Sequence, residues 1–347
     1  MNKNKLKSII SLLGTLFIGL HVFAGHLEEF SKVYHQEYSV NSDVLLNISN
    51  KYGKIKVITS ETDRVTIDVL VMTEGKSEVK SKEVLDKINI EFYGEASKVT
   101  AKTLFDDHAK FKNLTIDYTI TMPINGSVEL INKFGDVYVN ELNGSSVIKI
   151  AYGDLIAGKL NSKNNNVTIK FGDAKISYVN YLYTVLRYSD IKINKVKLFD
   201  LDTQYGDANV GEVGRMIFDG QYSDVRIGTI VELVADIRYG DITVEGVLSS
   251  VKLDSEYGDA NFKLVSKGFK NIDVNASFGD VDIDFESGSK FVLDGTASYG
   301  DVKIPQETLC ELKENGEVEK QNVKPEQPTV STVKVKVSYG DLDIGIR

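Results

Sequence analysis

At 347 residues the chain is long enough for one large domain or two ordinary ones, and 42% hydrophobic against 26% charged residues predicts a folded core. A formal net charge of −9 argues against nucleic acid or an anionic membrane surface as the main partner. Many Val, Ile and Tyr, no Trp and only four Pro favour strands.

Residues 1–24 read as a secretory signal peptide. Lys3, Lys5 and Lys7 form a basic start, Ile9 to Phe23 an apolar stretch, and Val22-Phe23-Ala24 a small-residue cleavage site before Gly25. The stretch is short for a membrane span, and an uncleaved anchor is the alternative. No cysteine follows it to carry a lipid. Removal takes away three lysines and no acids, so −9 becomes −12. An exported protein is expected, in the periplasm, on the outer surface or secreted, with no stable membrane span after signal removal. Cys310 is the only cysteine, so there is no internal disulfide and packing must supply the stability.

Residues 25–133 are expected to form an N-terminal β cap with irregular rungs, covering the open edge of the first regular rung. Strand-like runs lie at 65–72, 87–92, 113–122 and 127–132, with a short helix at 77–87. Tyr52-Gly53-Lys54 and a degenerate Tyr93-Gly94-Glu95 foreshadow a motif that then dominates the chain.

From 134 to 347 the pattern aromatic, Gly or Ser, Asp recurs at steps of 17 to 21 residues up to 299, and once more at 339. Such a period is the signature of a solenoid. Offsets from each aromatic place aliphatics at +3, +5, +8, +11, +13 and +15: Val225, Ile227, Ile230, Leu233, Ala235 and Ile237 after Tyr222. A strand keeps inward residues two apart, so each step of three marks a bend. The expected fold is therefore all-β: a parallel single-stranded β-helix (solenoid) with three short faces per 17–21-residue rung. Parallel crossovers predict a right-handed coil. Length changes fall at the third corner, in "NGSS", "NSKNNN" and "SKGFKN". A single rung cannot offset its own ordering entropy, so the stack is the folding unit.

The repeated motif predicts two ladders. The aromatic ladder is Tyr52, Phe134, Tyr152, Phe171, Tyr188, Tyr205, Tyr222, Tyr239, Tyr257, Phe278, Tyr299 and Tyr339. Its rings are expected to point inward and stack, and the three Phe show that no phenol oxygen is required. The Asp ladder is Asp136, Asp154, Asp173, Asp190, Asp207, Asp224, Asp241, Asp259, Asp280, Asp301 and Asp341, expected to bond backbone N–H groups of its own corner. Carboxylates ~4.8 Å apart repel by about 0.9 kcal/mol in water, so donors or cations must offset them. The paired-glycine calcium nonapeptide is absent. Residues 305–331 interrupt the pattern and read as a mobile, charged surface loop; a partner-binding loop is the sharper alternative. No sorting domain or membrane segment is expected after the last corner.

Chemistry is hard to find. His26, His35 and His108 are scattered, and neither metal-ligand spacing nor a nucleophile, phosphate or dinucleotide motif occurs, so no catalytic residue, metal or cofactor is expected. Arg187 and Arg238 sit just before a motif aromatic, as on a solvated face.

At "IDYTITMPINGSVELINKFGDVYV" (116–139) and the rungs after it, the chain resembles the DUF4097-type β-repeat proteins, also labelled adhesin domains, and is similar to the auto-transporter adhesin head (GIN) domain group. The likeness spans residues 40–347. It implies a β-helical, exported protein of Gram-negative, Bacteroidota-like bacteria and brings no catalytic residues with it. The expected function is a non-enzymatic structural or adhesin-like binding module at the cell envelope, with a protein or glycan surface as partner. The alternatives are a polysaccharide-active enzyme, which a cleft lined by Asp and Arg outside the repeat would favour, and an envelope sensing or regulatory partner protein.

Overall fold

The 17-residue period is built as coils of parallel strand, each stacked on the next. The computed structural model describes residues 28–75, 77–106, 113–305, 310–314, 317–321 and 331–347, and the chain falls into two units, residues 1–172 and 173–347. Residues 1–24, expected to be a signal peptide, lie outside the described residues, as do His26 and His108.

In the second unit Ala174–Arg187, Ile191–Gln204, Ala208–Gln221, Val225–Arg238 and Ile242–Glu256 run side by side in parallel. Register equals one repeat, so Val210 pairs with Ile227 and Met216 with Leu233. Burial follows the offsets: Val225, Ile227, Ile230, Leu233, Ala235 and Ile237 are at most 4% exposed. Gly228, Thr229, Val231 and Glu232 bend outward between them without breaking the ladder. This is a β-solenoid with an aliphatic interior.

The aromatic ladder does not point inward, and this corrects the parity count. Tyr222 is 47% exposed, and Ser223, one residue later, is 2% exposed. Each motif aromatic has a left-handed backbone, φ between 53° and 68°. That conformation reverses the alternation of side chains, so a two-step count through the ring fails. The first corner therefore begins at the ring, where the strand ends, and the small residue after the ring is the one that enters the core. Glycine suits that place because of crowding: a Cβ on Gly258 would fall inside the carbonyl oxygen of Gly240 on the neighbouring rung.

Spatial order departs from sequence order at an end of each unit. In the second, Ser331–Ser338 pairs with Asn271–Ser277 on one side and Phe291–Ser298 on the other. Leu342–Ile346 likewise lies between Val281–Phe285 and Val302–Lys303. The last rung in sequence is inserted one place early. In the first unit Leu45–Lys51 pairs with Lys98–Phe105 and Ser127–Lys133, and Ile55–Ser60 with Leu114–Pro123 and Val137–Leu142. The first rung in sequence is thus second in space.

Beyond that rung the first unit changes to antiparallel pairing. Arg64–Gly75 joins Glu28–Ser39 and Leu114–Pro123, and Ile88–Glu95 joins Lys98–Phe105. The helix Glu78–Asp86 packs over this end with Leu85 buried. Tyr93 lies inside the antiparallel hairpin and has no left-handed backbone, so the degenerate motif at 93–95 is not a solenoid corner.

The mobile-loop reading of 305–331 is also corrected, as far as those residues are described. Cys310–Glu314 and Glu317–Gln321 form an antiparallel hairpin, and its first strand pairs in parallel with Leu293–Ala297. Charged residues interrupt the inward pattern there, but they extend the sheet edge by backbone hydrogen bonds, which need no apolar repeat. "SKGFKN" also hides a core residue: Phe269 is buried against Phe285 and Phe291, 5.2 and 5.9 Å away.

Candidate functional site: an outward ring ladder

The left-handed residue turns the ring out of the solenoid, and the rung spacing stacks it on its neighbours. In the second unit the order is Tyr188, Tyr205, Tyr222, Tyr239, Tyr257, Phe278, Tyr339, Tyr299, with centroids 4.7–4.9 Å apart and planes within 8°. In the first unit Tyr52, Phe134, Tyr152 and Phe171 stack at 4.9–5.4 Å. Ring faces are covered by the next ring, while edges and phenol oxygens face solvent. The rings from Phe134 onward are 39% exposed or more.

Left-handed backbone on a residue with a Cβ costs about 1–2 kcal/mol. A stacked pair returns about 0.5–1.5 kcal/mol beyond burial. The two nearly cancel, so the ladder adds little net stability while presenting a continuous ring edge on a rigid corner.

Two residues on, the Asp row is tied across rungs, not within its own corner. Asp241 N–H donates to Asp224 Oδ1 (3.0 Å), Asp259 N–H to Asp241 (2.9 Å), Asp280 N–H to Asp259 (2.9 Å) and Asp341 N–H to Asp280 (2.8 Å). Asp154 does the same to Asp136 at 3.0 Å. This corrects the own-corner expectation: the corner turns too sharply through the ring for Asp to fold back, and the next rung offers a free donor. Corner carbonyls find inward partners, as where Asn132 Nδ2 donates to Gly135 O (2.8 Å) and Thr203 Oγ1 to Gly206 O (3.2 Å).

The residue before each ring sets the charge on the other flank. Lys51 Nζ lies 4.5 Å from the Tyr52 ring centroid, and Lys133 Nζ 4.9 Å from that of Phe134. Arg187 grips both carboxylate oxygens of Asp202 at 2.8 and 3.0 Å, and Arg238 lies 3.6 Å from Asp236.

A second feature lies outside the motif, on the strands that follow it. Asn261, Lys263, Asp282, Asp284, Asp343 and Arg347 line an open cavity of about 570 Å³. Asp282 and Asp343 are register partners on adjacent rungs. Burial, then the charges of Asp343 and Asp280, raise the Asp282 carboxyl above its ordinary value. Arg347 is held by Asp284 at 2.6 Å and Lys263 by Glu245 at 2.6 Å. The pair went unnoticed in the sequence, although both Asp share the position two beyond the motif Asp. Among the described residues no group of three or more His, Cys, Asp or Glu is arranged to hold a metal ion, and no helix is long and apolar enough to cross a membrane.

A family model described as Toastrack DUF4097 matches residues 46–345. No curated protein matches the chain. Among solved structures it is similar to a "putative adhesin" of Parabacteroides merdae (9% identity, TM-score 0.35, covering 90% of this chain and 95% of that one). Another "putative adhesin", of Parabacteroides distasonis, has 14% identity and a TM-score of 0.28, over 88% and 97%. A "putative lipid binding protein" of the same species has 9% identity and a TM-score of 0.31, over 90% and 96%.

Proposed function

The chain belongs to the Toastrack DUF4097 family, and from that premise we propose that it is an exported, non-enzymatic binding module of the bacterial cell envelope, structural or adhesin-like. Its contact surface is the ring ladder. The observation that carries this reading is the backbone of the corner: left-handed φ at twelve aromatics that the core does not need. Repeated strain of this kind, with little net return in stability, supports a surface held ready for contact. The basic and apolar residues of 1–24 support export.

The test is a glycan and protein-ligand binding screen of the mature chain beside a Tyr222→Ser, Tyr239→Ser variant. Binding lost from a variant that keeps its thermal midpoint within a few degrees is the expected result. Binding retained in full by that variant overturns the ladder as the contact surface.

A second reading has one observation behind it. The cavity at Asp282 and Asp343 is lined by carboxylates and cations outside the motif, and a carboxyl raised above its ordinary value by burial, as that of Asp282 is, suits a general acid acting on a polysaccharide. Glycan degradation that Asp282→Asn abolishes is what this reading requires; an inactive wild-type chain across the same glycans removes it.

A further inference from the structure

The charge of the chain is unevenly shared. Without residues 1–24, residues 25–172 hold 18 Lys and Arg against 20 Asp and Glu, a net −2; residues 173–347 hold 20 against 30, a net −10. The ring ladders differ in the same sense. In the first unit the chain supplies its own cations, Lys51 and Lys133 seated over the rings. In the second unit the equivalent positions are Gln204, Gln221, Glu256 and Ser277, while Arg187 and Arg238 turn toward Asp202 and Asp236. Among the described residues Asp207, Asp241, Asp259 and Asp280 make no ion pair, and each commits one oxygen to the next rung's N–H. Tyr222 and Tyr239 are 47% and 46% exposed beside them.

We infer that the ring and Asp ridge of residues 173–347 binds an extended cationic polypeptide segment. The inference rests on the ladder being the contact surface and names what it contacts. Lysine or arginine stems lie along the ring edges, and their heads reach the free Asp oxygens and phenols. A second copy is disfavoured, since it would bring like-charged rows together. A neutral glycan is disfavoured because stacking on sugars needs ring faces, and here these are covered by the next ring.

The test is fluorescence anisotropy of labelled decalysine titrated with the full mature chain at low and high salt. Saturable binding that weakens with salt is expected. Asp207→Asn, Asp241→Asn, Asp259→Asn keeps the oxygen that accepts the inter-rung bond, and should weaken binding about tenfold at unchanged thermal midpoint, given the usual worth of exposed ion pairs. Asp200→Asn, Asp273→Asn, Asp294→Asn removes as much charge from another face and should leave affinity unchanged. Equal weakening by both triples reduces the effect to net charge and overturns the inference, as does absence of saturable binding. If decalysine never binds, yet Tyr222→Ser, Tyr239→Ser abolishes another ligand, the cationic partner fails and the contact surface stands.

Discussion

Tyr339 lies between Phe278 and Tyr299, 4.9 Å from the first ring and 4.7 Å from the second, with planes within 8° of both. The last motif in sequence is therefore the penultimate ring in space, and Asp341 bridges in the same way, donating to Asp280 and accepting from Asp301.

Removing residues 331–347 should do more than shorten the solenoid. The deletion takes Val333, Val335, Val337, Leu342 and Ile344 from the interior and leaves two rungs facing a gap. At about 1.5–3 kcal/mol per buried side chain the loss is on the order of 10 kcal/mol, comparable with the stability of a whole domain. Limited proteolysis should find residues 173–330 cleaved throughout; a protected fragment ending near 303 contradicts the inserted rung.

Tyr222 and Leu233 belong to one rung and should respond to truncation by very different amounts. Leu233→Ala opens a cavity in the core and should cost about 2–5 kcal/mol. Tyr222→Gly loses two stacking contacts but relieves the left-handed strain, so its net cost should stay near 1 kcal/mol. Chemical denaturation of both variants reads the difference, and a core-sized loss at Tyr222 contradicts the outward ring.

At Asp241 the conservative variant is informative. Asp241→Asn keeps the acceptor for Asp259 N–H and removes one charge from a repelling row, so stability should hold or rise slightly. Asp241→Ala removes the acceptor and should cost about 1 kcal/mol. Matching losses in the two denaturation curves exclude the inter-rung bond as the reason for Asp.

Acid should help before it harms. The Asp282 carboxyl is raised above its ordinary value of 3.8 by burial and then by Asp343 and Asp280. A raised carboxyl is a cost to the folded state that is fully present above its folded value and relieved as pH falls through it toward 3.8. Thermal midpoints measured from pH 7 downward should therefore rise over that window, and Asp282→Asn should flatten the rise. A midpoint that falls monotonically in both proteins contradicts it.

Much of this fold is legible in the residues. Val225, Ile227, Ile230 and Leu233 have counterparts in every 17-residue rung, and their spacing alone bends the strand three ways. Ring direction is not legible from the same count, because parity assumes extended backbone and the left-handed residue breaks it. The signal was present one position later: Gly or Ser in every rung marks the crowded inward site, and consecutive outward residues then fall at the ring. The early insertion of 331–346 is invisible for another reason, since nothing in local pattern tells a rung which neighbours it joins. The exposure of the ladder follows from the left-handed φ at each ring, which no residue pattern announces.

The inserted rung also governs how the second unit bears load. Tension applied at Arg347 first meets Leu342–Ile346, paired in full with Val281–Phe285 and at Leu342 and Asp343 with Val302–Lys303, and then Ser331–Ser338, which is gripped along both sides. It must slide lengthwise against two hydrogen-bonded neighbours at once, breaking many bonds together. A molecule tethered through that end would resist traction as a lap joint does.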